Sequence, residues 1–107
     1  MTIYHIVLPE TWREFEGKDE YTAESLATEG FIHCSYGVQV DGVLRRYFSG
    51  AEKVLVLAID PSKLISRLVE EPSTNNEVYP HIYGPINRDA VIGVEERELN
   101  NVILDRD

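Results

Sequence analysis

The chain has 107 residues, 43% of them hydrophobic, and its Lys and Arg number 10 against 19 Asp and Glu, for a net charge of −9. That length suits one domain with a core of its own, and no apolar run reaches the roughly 18 residues a membrane helix needs. The acidity is spread along the chain with no basic cluster beyond Arg45-Arg46, which disfavours nonspecific nucleic-acid binding.

The opening "MTIYHIVLPE" lacks a basic, cleavable leader, and a lone Cys34 cannot form an intramolecular disulfide, so the cytoplasm is the expected compartment. "TIYHIVL" and, further on, "KVLVLAID" are nearly continuous apolar runs rich in Val, Ile and Leu, the pattern of central strands covered on both faces. Between them, Thr11 with Glu14 three residues later forms a capping box, Gly17 is a stop, and Thr22 and Gly30 bracket a second short helix. Val40, Val43, Leu44 and Tyr47 fall on one helical stripe that Gly50 ends, and Gly42 weakens that helix by on the order of 1 kcal/mol.

Asp60-Pro61 predicts a single helical turn over residues 61–64, with Asp60 as its cap. "RLVEE", "VYPHIYG" and "AVIGVEERE" then read as strands separated by turns. Helices early and strands late indicate an α+β domain, not a doubly wound sheet.

"EGFIHCSYG", residues 29–37, also reads as a strand, and it places a histidine in an apolar run. Strand alternation puts Phe31, His33 and Ser35 on one face and Cys34 on the other, so His33 does not activate Cys34, which reads as a small buried hydrophobe. The same parity groups Tyr79, His81 and Tyr83, and groups Ile3, His5 and Val7. Each histidine alone reads as a ring with its nitrogens satisfied internally; if the three faces coincide, imidazoles, phenols and a hydroxyl line a cleft for a small polar ligand. No HExxH or similar spacing points to a metal.

Ser35 either caps the helix that follows or meets a phosphate there. Gln39 carries a neutral head suited to a base or amide, and equally to solvent. Of Glu70 and Glu71 one points inward by parity. Glu71, nearer the turn, is the preferred candidate for a working carboxylate, the other reading being an edge-strand charge.

"IYHI", "SLATEGFIHCS" with Gln39 after it, "LVLAID" and "PHIYGPI" together resemble the bacterial family called domain of unknown function 952, over nearly the whole chain. That family looks like a distant relative of the ADP-ribosyltransferase superfamily, whose members bind NAD in the cleft of a split β-sheet and transfer ADP-ribose from it. The resemblance implies an ADP-ribosyltransferase-like α+β fold, a split mixed β-sheet with short helices. It implies NAD as substrate and, as partner, a small nucleotide-like ligand rather than nucleic acid or membrane.

By the same resemblance His5, in "YHI", contacts the NAD ribose, and Ser35 or Tyr36 lies where the superfamily wraps the nicotinamide. The superfamily's glutamate motif has no clear counterpart, since neither Glu71 nor the stretch from Glu95 to Glu98 carries its signature. As an enzyme the chain is expected to use His33, Glu71 and His81 in catalysis and His5, Ser35, Gln39 and Tyr83 in binding, with Glu71 beside an oxocarbenium-like transition state. The alternative is a module that kept the cleft and lost the chemistry.

Overall fold

The structure, a computed structural model, describes residues 1–99. Strand β1 (Ile3–Val7) leads into helix α1 (Pro9–Arg13), the short strand β2 (Glu20–Tyr21), helix α2 (Glu24–Glu29) and the short strand β3 (Ile32–His33). Helix α3 (Val40–Tyr47) follows, then β4 (Lys53–Ile59), β5 (Arg67–Pro72), β6 (Val78–Tyr83), β7 (Ile86–Asn87) and β8 (Val91–Glu98). The strands form a sheet ordered β1-β4-β8, another ordered β3-β6-β5, and the pair β2-β7.

Every pairing among the described residues is antiparallel, which corrects the expectation of a mixed sheet. A short turn joins β5 to β6 and requires that pair to be antiparallel; the other pairs join strands far apart in the chain, and their sense is set by tertiary packing.

The two three-stranded sheets meet at one point. Tyr4 N–H donates to the Ser35 carbonyl at 2.8 Å and Ser35 N–H returns a bond to the Tyr4 carbonyl at 2.7 Å, an isolated antiparallel bridge. No further pairing of β1 with the β3 segment forms among the described residues, so the strands part beyond it and the sheet is split at this seam.

The apolar runs are covered on both faces, as their composition requires. Ile3 and Val7 join Leu57, Ile59, Ile32, Ile82 and Ile86 in the larger core. Ile6, Val54 and Val56 pack on the other face against Val40 and Leu44 of α3. Strand β4 is central in its sheet; β1 lies at the sheet's edge and is joined onward only through Ser35.

Several local expectations meet a different geometry. Helix α1 begins at Pro9, not at a Thr11 cap, because proline presets the first helical φ and lacks the donor that is orphaned there. Gly30 ends α2 in the left-handed conformation, φ 93°, a backbone that glycine adopts without steric cost. Asp60 accepts from the Ser62 backbone N–H at 3.0 Å and caps the turn at Pro61–Lys63. Strands β2 and β7, two residues each, carry too little pattern to be read from sequence.

Candidate functional site

At the seam the chain leaves a cleft of about 490 Å³ lined by His5, Ile6, His33, Ser35, Val43 and Tyr79, among others. It sits where β1 and the β3 segment separate, with Val43 and Tyr47 of α3 and Phe48 just after it forming a largely apolar wall. Its volume falls within the roughly 300–1,000 Å³ of small-molecule sites.

His5 is 6% exposed and spends both ring nitrogens inside the protein. Nδ1–H donates to the His33 carbonyl at 2.7 Å, so the neutral ring accepts the Tyr21 hydroxyl at Nε2, 2.8 Å away. Burial, opposed by the bond to the His33 carbonyl and aided by the nearby His33 charge, lowers its pKa from 6.5 to about 4. His5 is therefore a neutral strut that ties β1 to β3 and to Tyr21, with its ring edge at the cleft floor.

His33 is the accessible imidazole. Its side chain is 50% exposed and lies 3.2 Å from Glu29 at the end of α2. Ser35 is buried, lines the cleft and caps no helix. The turn before α3 is closed instead by Gln39, whose Oε1 accepts from the Tyr36 N–H at 2.9 Å.

Gln39 also donates to the Val78 carbonyl at 2.9 Å, so its amide is used in joining α3 to β6, away from the cleft lining. Cys34 lies in the core, and burial pushes its thiol pKa well up, which leaves it protonated and a poor nucleophile.

His81 stands directly opposite His33 in the β3-β6 register, with ring centroids 5.3 Å apart. It is 3% exposed, its Nδ1 is 2.7 Å from Glu71 Oε1, and Phe31 stacks on it at 4.1 Å with planes 15° apart. The Tyr83 hydroxyl donates to the same Glu71 oxygen. That bond first, then the one from His81, holds the Glu71 carboxyl below its ordinary pKa.

Glu71 pairs across the sheet with Tyr79, a lining residue, so the Glu71–His81–Tyr83 group sits beside the cleft on the same sheet face without lining it. Glu70 bonds the Tyr36 hydroxyl. The stretch from Glu95 to Glu98 lies on edge strand β8, where Glu95 and Glu96 pair with Arg97 and Lys53.

Two polar residues line the site that no sequence pattern announced, and a third is bonded to its wall. Ser25 and Glu29 reach it from α2. Arg46 on α3 donates from Nη2 to the Tyr79 hydroxyl at 2.9 Å, and its guanidinium lies 5.8 Å from the Tyr47 ring centroid. Glu29 ends α2 and His33 lies on β3 beyond the Gly30 stop, so neither their contact nor the approach of α3 to β6 has a local signature. Among the described residues no group of three or more His, Cys, Asp and Glu is placed to hold a metal ion, and no helix is long and apolar enough to cross a membrane.

The similar solved structures carry shape rather than function. The crystal structure of protein CC0527 from Caulobacter crescentus matches with a TM-score of 0.79 and 25% identity, over 92% of this chain and 85% of that one. Its solution structure matches with a TM-score of 0.73 and 26% identity, over 91% and 83%. No curated protein matches the sequence significantly. The model of the family described as "Protein of unknown function (DUF952)" matches residues 6–94, and the chain belongs to that family.

Proposed function

We propose that the chain is a small-molecule-binding domain whose cleft takes a nucleotide-like ligand, with NAD or ADP-ribose the first candidates. The observation that carries this reading is the composition of the cleft. An apolar wall from α3 suits a base or nicotinamide ring, Ser35 and His33 offer a hydroxyl and an exposed imidazole for ribose or phosphate oxygens, and Arg46, bonded to the lining Tyr79, brings the guanidinium that an anion needs. His5 serves this site by holding its floor, since both its nitrogens are taken. The setting is cytoplasmic, which a single buried thiol fits.

The plain reading is binding without chemistry, and the position of Glu71 supports it, because that carboxylate is bonded to His81 and Tyr83 instead of lining the cleft. One observation favours a second reading, ADP-ribose transfer or NAD cleavage of the ADP-ribosyltransferase type. Glu71 is held ionised one strand from Tyr79, and an ionised carboxylate is what an oxocarbenium-like transition state requires nearby.

Calorimetric titration with NAD and ADP-ribose tests binding, and release of nicotinamide separates the two readings. Binding tighter than about 1 mM that weakens in Arg46→Ala and His33→Ala is expected. No heat and no chemical-shift change at millimolar ligand would overturn the nucleotide assignment.

A further inference from the structure

A second cavity, of about 740 Å³, lies at the end of the β1-β4-β8 sheet. It is lined by Leu8 and Pro9, where β1 passes into α1, by Tyr47, Phe48 and Ala51 around the turn from α3 to β4, and by Lys53 at the start of β4, among others. Leu8, Phe48 and Ala51 are only partly buried, so the groove presents apolar surface that the smaller core does not cover.

Strand β8 runs to this groove. Glu98 pairs with Lys53, the Leu99 N–H donates to the carbonyl of Glu52, another lining residue, at 2.8 Å, and Leu99 packs on the same core as Leu8, Phe48 and Ala51. Past Leu99 the sequence reads "NNVILDRD", residues 100–107. Val102, Ile103 and Leu104 form an aliphatic run whose exposure to water is unfavourable. At roughly 3.3–3.6 Å per residue, Val102 and Leu104 reach at most about 10 and 17 Å from Leu99, which matches the dimensions of a groove that begins beside it.

Tethering decides between occupants. A segment joined to its site by so few residues has an effective concentration on the order of millimolar, far above that of a separate molecule at ordinary protein concentrations. Weak apolar contacts then suffice for the chain's own segment and not for a second copy.

We propose that residues 100–107 dock on their own chain, with Val102, Ile103 and Leu104 seated against Leu8, Phe48 and Ala51 and the charged residues 105–107 left toward water. Tyr47 and Phe48 line both this groove and the cleft, so the docked segment backs the cleft's apolar wall. That last consequence rests on the binding reading; the docking is tested without ligand, so the two fail separately.

Methyl NMR of the 107-residue chain reads the docking directly. Nuclear Overhauser contacts are expected from the methyls of Val102, Ile103 and Leu104 to Leu8, Phe48 and Ala51. Ile103→Asp, which places a charge in the apolar run, is expected to abolish them and to shift the amide resonances of Leu8 and Ala51. No such contacts in the wild type, or contacts that persist unchanged in Ile103→Asp, would overturn the proposal. So would contacts that a mixture of labelled and unlabelled chains shows to run between molecules, because the occupant is then a second copy. Should Ile103→Asp fail to fold, the wild-type contacts alone decide.

Discussion

His5 makes a sharp prediction about stability and pH. In the folded chain its pKa is about 4 and its ordinary value is 6.5, so between those limits the unfolded chain holds a proton the native chain refuses. Stability therefore rises with pH across this window: it is fully present above about pH 6.5, falls as the pH drops, and reaches its floor near pH 4. At about 1.36 kcal/mol per pH unit the whole interval amounts to roughly 3 kcal/mol.

Glu71 and Asp60, whose pKa values are also lowered, lose their contributions mainly below the ordinary carboxylate range, so the interval from pH 6.5 to 5 isolates imidazole and is worth about 2 kcal/mol. Urea unfolding at half-unit steps, for wild type and for His5→Gln, measures it. The variant is expected to be less stable at pH 7, because the bonds to Tyr21 and the His33 carbonyl are lost or weakened, yet to lose less stability on acidification. Parallel pH profiles for the two proteins, or a His5 resonance titrating near 6.5 in the folded chain, would refute the reasoning.

Cys34 should resist iodoacetamide in the native chain and be alkylated only as the chain unfolds, since burial both covers the thiol and raises its pKa; rapid native labelling would contradict this. Gly84→Ala places a Cβ 2.9 Å from Ser66 Cβ and closer still to its hydroxyl, so a loss of about 1–3 kcal/mol is expected by denaturant unfolding, partly recovered by Ser66→Gly. Asn87 accepts from the Ile65 N–H at 3.0 Å and donates to the Lys63 carbonyl at 2.8 Å, and Asn87→Ala should cost about 2 kcal/mol in thermal or urea melts. A neutral effect would show that water replaces both bonds.

The longer strands, the α+β class and the chemistry-bearing residue types were legible in the sequence, because period and composition reflect which faces must be buried. The runs around His5 and Val56 were readable for that reason, as were the left-handed glycine after α2 and the cap at Asp60, each set by interactions within a few residues. Parity also placed Tyr79, His81 and Tyr83 on one face, as β6 has them. The segment around His33 was read as a full strand, but only Ile32–His33 pairs as one, since the chain turns at Cys34 and Ser35 to reach β1.

Alternation along one strand says which side chains share a face, and says nothing of which strand lies alongside or how deep a ring will sit. Tertiary structure alone decided that His5 is locked between the His33 carbonyl and Tyr21, that His33 faces solvent, and that His81 is buried under Phe31 with Glu71 at one nitrogen and no partner among the described residues at the other. Those differences arise from contacts between residues 10 to 50 positions apart in the chain, brought together by sheet register and the split at Tyr4–Ser35, and no local pattern encodes them.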